Sequence, residues 1–292
     1  RQATYIHLDI SSIRQHGRKR KKTMIIDFHT HIFPEKIASH TIKALEERSQ
    51  FRAAAGGTLK DLRISMKKQH IDYSVVLPVA TKPSQFDSIN SYAASINHTD
   101  GILSFGGIHP ENDNISNRLA YIKSLGLKGI KLHPDYQNTY IDDERYIEII
   151  KECIRLNLCC VIHAGYDIGL PIPIHCPPDR AYLMLQQVLK HCDKDSKIVL
   201  AHVGGNLQWH LVEKLLVGKN VYFDLAFCRN MIEKEQLMRI IRNHGSDRIL
   251  YATDFPWDSQ KETVDYIKAL PLSEEELDNI LYKNALRLLD MH

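Results

Sequence analysis

From Met24 onward, short apolar runs alternate with longer stretches of helical periodicity. The runs are MIIDF (24–28), YSVVLPV (73–79), ILSFGGI (102–108), KGIKL (128–132), LCCVIH (158–163), KIVLAH (197–202), NVYFDLA (220–226) and RILYATD (248–254). Their near-continuous apolar content suits strands covered on both faces, as in a parallel sheet. Between them, amphipathic patterns predict helices, among them 117–126, 143–157, 179–192 and 207–218, with Gly126 and Gly218 placed as helix stops. Eight such alternations predict an α/β fold, a (β/α)8 barrel. A doubly wound open sheet is the alternative, but no glycine-rich dinucleotide fingerprint follows the first run. The first connection, about 32–72, is long, carries two helical patterns and is expected to form a lid. An added C-terminal helix is expected over 273–290, with Ser273 as N-cap and Glu276 three residues on.

Composition adds one division. The 292 residues carry 38 Lys/Arg and 35 Asp/Glu. Residues 1–23 hold seven of the bases (Arg1, Arg14, Arg18, Lys19, Arg20, Lys21, Lys22) and one acid, Asp9. Without them 31 bases face 34 acids, a net −3, so the positive charge belongs to the leader. We read 1–23 as a disordered basic leader, non-native or upstream sequence, and 24–292 as the functional barrel. A nucleic-acid or membrane role would rest on that leader alone, so neither partner is expected. No run approaches the length of a membrane span. The six cysteines form no CxxC pair, and Cys159 and Cys160 fall in an apolar strand where packing is their expected role; a reducing cytoplasm follows.

The chemistry is expected where barrel strands end. Six of the sixteen histidines fall there: His29, His31, His109, His133, His163 and His202. Positions i and i+2 of a strand share a face, so His29 and His31 can clamp one ion, with Asp27 of the same parity beneath them. His163, last before a glycine turn, is the best third ligand. Asp254 ends the eighth run, where a buried carboxylate needs a partner or a metal. Imidazoles and a carboxylate suit zinc, with manganese as the alternative. His202 is expected to be a fourth ligand or a proton-transfer group, with Gly204 and Gly205 leaving room beside it for substrate.

DFHTH, GIKLHP, VIHAG, LAHVGG and YATDFPW, in this order, resemble the amidohydrolase superfamily. More narrowly they resemble the amidohydrolase-2 branch, which includes aminocarboxymuconate-semialdehyde and γ-resorcylate decarboxylases. The resemblance implies that His29, His31, His163 and Asp254 hold one metal ion and that His202 and Asp254 are catalytic. Lys131, just before the end of the fourth strand, matches the position where some members carry a carboxylated lysine bridging two metals. The blander alternative is a lysine paired with a carboxylate or with an anionic substrate.

The expected activity is hydrolysis of an amide, ester or lactone in a small carboxylated or cyclic substrate. Nonoxidative decarboxylation is the alternative, and a silent ligand-binding barrel the second. His109, His133, Tyr136, Arg229 and Trp257 follow strand ends and are candidate substrate contacts, with Arg229 and His133 placed to grip a carboxylate. A homodimer fits this reading.

Overall fold

A computed structural model describes residues 23–170, 173–190 and 196–291. The basic leader lies outside these residues except for Thr23, as does Cys192. Every apolar run carries a strand: β1 (Ile26–Thr30), β2 (Tyr73–Val76), β3 (Ile102–Ser104), β4 (Gly106–Gly107), β5 (Gly129–Leu132), β6 (Cys159–Ile162), β7 (Ile198–Leu200), β8 (Tyr222–Asp224) and β9 (Ile249–Leu250). β3 and β4 are two halves of the third run, parted at Phe105, whose N–H still donates to Val76 O at 2.9 Å. All neighbouring pairs are parallel, in the order β1-β2-β3 and β4 through β9. The ring closes where Phe28 N–H donates to Tyr251 O (3.0 Å) and Asp254 N–H to His29 O (2.9 Å). This is the expected barrel, its strands held edge to edge so that no edge is left open.

Side-chain alternation sorts the apolar residues into two cores. Ile130, Leu132, Cys160, Ile162, Ile198 and Leu200 face outward and meet the helices. Phe28, Val75, Leu103, Phe105, Val161, Val199 and Leu250 face inward and fill the barrel, joined by Ala285, Leu288 and Leu289 of the C-terminal segment. That segment runs as helix from Glu274 to Leu288 with a π-helical turn at Asn279–Lys283, and its N-terminus carries the expected capping box of Ser273 and Glu276. Outside, the expected 143–157 helix spans Glu144–Leu156, capped by the Asp143 carboxylate, and buries Tyr146, Ile149, Ile150 and Cys153 on one stripe. The described cysteines are buried free thiols. No helix among the described residues is long and apolar enough to cross a membrane.

β1 breaks the alternation. Its register against β2 shifts between Asp27 and Thr30. Phe28 packs edge-on against Phe105 in the inner core (5.8 Å), and the next residue, His29, also turns inward to meet Lys131 and Asp224. Asp27 therefore does not lie beneath the histidines. It faces the strand–helix layer, where it accepts from Thr253 Oγ1 (2.6 Å), Thr253 N (3.0 Å) and Gln260 Nε2 (2.8 Å). Strict period-2 counting misplaced it because a bulge inserts one residue into the count.

The first connection forms the two expected helices. Glu35–Ser49 and the turn after it run across the C-terminal mouth of the barrel, whereas Leu59–Gln69 packs in the outer helical ring.

Candidate metal centre and cavity

At the C-terminal end of the strands, His29, His31 and Asp254 converge: one ligand atom of each lies within 4.8 Å of the others. The Nε2 atoms of His29 and His31 are 3.0 Å apart, and Asp254 Oδ1 is 3.4 and 3.3 Å from them. The opposite nitrogens are committed. His29 Nδ1–H donates to Asp224 Oδ2 (2.8 Å) and His31 Nδ1–H to Leu77 O (2.8 Å). Each ring therefore turns its Nε2 lone pair toward the other, beside a carboxylate, and that of His29 also faces Lys131 Nζ at 3.1 Å. Two lone pairs at this distance repel unless a cation stands among them, and fixing the far nitrogen by a carboxylate or carbonyl is how metal-binding histidines are oriented.

Electrostatics agree with that arrangement. Burial, with the nearby Lys131 cation, holds His29 well below the ordinary histidine value, so the ring is neutral. Burial pushes Asp254 upward and the proton-bearing forms of His29, His31 and His202 pull it down, leaving the carboxyl below its usual range. Asp224, raised by burial, still accepts from His202 N (2.9 Å) and Ala226 N (3.1 Å) through Oδ1. One acid thus fixes His29 through its side chain and His202 through its backbone.

Lys131 is fully buried, its Nζ 3.1 Å from His29 Nε2. Burial lowers its amine to about 8, against the pull of Asp224 and Asp254. His202 Nδ1–H donates to Ala226 O (3.0 Å), and His202 Nε2 lies 3.0 Å from His163 Nδ1. The backbone here is unusual: His202 (φ 58°), Val203 (φ 57°) and Asp254 (φ 66°) occupy the left-handed region, a cost of about 1–3 kcal/mol each that clusters at functional sites. Gly165, in the turn after β6, sits at φ +84°, and a Cβ there would stand 2.1 Å from Asn206 N. That close approach ties the turns after β6 and β7 together through Tyr166 N–H to Asn206 O (3.0 Å).

Of the four expected ligands, the fold gathers three. His163 shares the cavity floor with His31, His202 and Asp254, and one of its nitrogens lies within 4.8 Å of ligand atoms of His133 and Asp167. Gly204 and Gly205 do not open space for substrate: Phe223 fills the first position, Val212 and Pro178 the second. His133, Tyr136 and Trp257 line the main cavity, but His109 and Arg229 are not among its walls. His109 Nδ1 accepts from Glu111 N–H (3.1 Å) in a local turn. The Arg229 guanidinium is neutralised by Asp258 (2.7 Å) and Glu262 (2.6 Å), so it does not grip a carboxylate in the cavity.

The cavity, of about 710 Å³, lies between helix Glu35–Ser49 and the strand ends. That is the size of a pocket for a small organic ligand. Its walls are largely apolar and aromatic, with Phe33, Phe51, Tyr92, Phe227 and Trp257 among them, and its floor is His31, His163, His202 and Asp254. Burial pushes the Tyr136 phenol up to about 12, so it stays a donor. Asp224, Asp135 and Asp167 escaped the sequence reading. Asp224 had a signal, an acid set inside the apolar run NVYFDLA; the other two sit in loops without periodicity.

The family model described as amidohydrolase matches residues 26–291. No curated protein matches the chain. Among solved structures it is similar to 2,6-dihydroxybenzoate decarboxylase from Rhizobium, with TM-score 0.68 and 16% identity over 92% of this chain and 99% of that one. It is also similar to 5-carboxyvanillate decarboxylase from Sphingomonas paucimobilis (0.65, 14%, 92% and 100%). A third is the dihydroxybenzoic acid decarboxylase of Polaromonas sp. with bound manganese and 2-nitroresorcinol (0.67, 15%, 92% and 97%). These likenesses are of fold.

Proposed function

This chain belongs to the amidohydrolase family, and on that premise we propose that it is a divalent-metal-dependent decarboxylase, acting without oxidation on a small aromatic or unsaturated carboxylic acid. The observation that carries the reading is the pair of imidazole Nε2 lone pairs of His29 and His31, 3.0 Å apart beside an anionic Asp254, beneath an aromatic-walled cavity whose floor includes His31 and Asp254. The decarboxylases of like fold support it. His29, His31 and Asp254 fit a zinc or manganese ion, with positions left for substrate. When bound, that ion supplies a fixed positive charge for the substrate's carboxylate and a neighbouring oxygen.

The chain's own groups do the rest. Phe51, Phe227 and Trp257 flank a planar ring, and the Tyr136 O–H donates to a substrate oxygen. Asp254, its side chain 14% exposed, is reachable from the cavity and carries the proton. It accepts one from a substrate hydroxyl or solvent and delivers it to the carbon that CO2 leaves, so R–CO2⁻ and H⁺ become R–H and CO2. His202 holds the floor beside it.

The test is CO2 release from a panel of hydroxylated benzoates by metal-loaded protein, with deuterium from D2O appearing at the vacated carbon. His29→Ala should lose both metal and turnover. His202→Asn should keep the metal and lower kcat. Hydrolysis, the first expectation of the sequence, uses the same floor with water as the reactant. Acid release from an amide, ester or lactone with no CO2 from any acid would establish it and sink the decarboxylase reading.

A further inference from the structure

The cavity is not confined to the strand ends. Its walls include Val76 and Ser104, which are neighbours across β2 and β3, and Ala93 and Ile96 of helix Phe86–Ile96. Val76, Ala93 and Ile96 belong to the outer core and are buried. One arm of the cavity therefore runs past the rim of the barrel, into the layer between these strands and the helix that covers them.

Two helices turn matched faces toward this arm. On helix Phe86–Ile96, the lining residues Ile89, Tyr92, Ala93 and Ile96 keep the i, i+3, i+4, i+7 spacing of one face. On helix Glu35–Ser49, Ile37, Thr41, Ala44 and Leu45 do the same at i, i+4, i+7, i+8. Such stripes ordinarily bury themselves against a neighbouring element. Here the cavity lies between them.

The arm offers little to a polar guest. No Asp, Glu, Lys or Arg between residues 76 and 104 lines it. Ser104 O–H donates to Phe105 O and Ser88 O–H to Gln85 O, both at 3.1 Å, so these protons are spent. Gln85 Oε1 already accepts from Thr81 N–H (2.8 Å) and Lys82 N–H (3.0 Å). The space also exceeds a simple aromatic acid. An apolar cavity of about 150 Å³ takes a benzene ring. A hydroxybenzoate on the floor thus leaves most of the 710 Å³ unfilled. We propose that the arm is a subsite for an apolar substituent of the substrate, an alkyl chain or a second ring, carried on the acid whose carboxylate end meets His31 and Asp254. The acid end rests on the decarboxylase reading above; the arm rests on its own walls.

The test is calorimetric binding to zinc-loaded full-length protein of hydroxybenzoates bearing hydrogen, methyl, propyl or pentyl at each free ring position in turn, with CO2 release followed in parallel. At one ring position Kd should fall by about fourfold per methylene. Ala44→Phe and Ala93→Phe, which fill the arm from its two walls, should bring the ratio of pentyl to hydrogen Kd back toward one. Circular dichroism checks that each is folded, and Ala44→Phe, on a half-buried face, carries the test if Ala93→Phe does not fold. No tightening with chain length at any position overturns the proposal, as does a gain undiminished by Ala44→Phe. CO2 release from the unsubstituted acids without that gain would sink the subsite and leave the decarboxylase standing. Tightening with chain length and no CO2 from any acid would do the reverse.

Discussion

At the scale of single residues, the described histidines divide by what their second nitrogen does. In His29 and His31 a fixed acceptor takes the Nδ1 proton and turns Nε2 toward Asp254, whereas in His202 Ala226 O takes it and Nε2 meets His163 Nδ1. His244 shows the purely structural case. It stacks on Phe223 (4.0 Å), its Nε2–H donates to Val221 O (2.8 Å), and its Nδ1 accepts from Gly218 N–H (3.1 Å), so the neutral ring is fully used. Burial lowers it to about 4. The unfolded chain therefore binds a proton between about pH 6.5 and 4 that the folded chain refuses, and stability falls as pH drops through that window, by up to about 3 kcal/mol in full. Urea unfolding should show His244→Gln less stable than wild type at pH 7.5, with the gap narrowing at pH 5. A gap independent of pH would contradict the neutral-ring assignment.

At the scale of elements, most of the site rests on strand ends, which is why it was legible. An apolar run closed by His or Asp announced His29, His163, His202 and Asp254, and the i, i+2 spacing placed His31 with His29. Asp27 was misread because one bulged residue reverses the faces of a strand, and no composition signal marks a bulge. Arg229 was misread because its acid partners arrive from later in the chain. Asp135 and Asp167 were invisible because loop geometry, not periodicity, brings them to the histidines. The turns themselves are tightly specified. Gly165→Ala forces a Cβ against Asn206 at a left-handed φ, and should cost about 2 kcal/mol or more. Chemical denaturation against Gly218→Ala separates the effects, since Gly218 shares the left-handed φ (+78°) but has open space around it.

At the scale of the whole molecule, the barrel is closed at one end by packing and opened at the other for chemistry. Leu288, buried against the inner core from the C-terminal segment, should cost about 2–5 kcal/mol when cut to Ala, read as a lowered urea midpoint with little change in zinc content. The metal end should respond differently. The proposed ligands His29, His31 and Asp254 come from the two ends of the chain and are assembled only by folding, so zinc at 100 times its Kd should stabilise the fold by about 2.7 kcal/mol, raising Tm in wild type but much less in His29→Ala. The groups that steady the ligands, Asp224, Leu77 and Ala226, all belong to the strands or their immediate ends, whereas helix Glu35–Ser49 contributes cavity wall and none of these anchors. The segment from about Pro34 to Phe51 is therefore wall that can be altered without moving an anchor of the histidines, while Tyr136, Phe227 and Trp257 keep the rest of the lining on the strand-end loops.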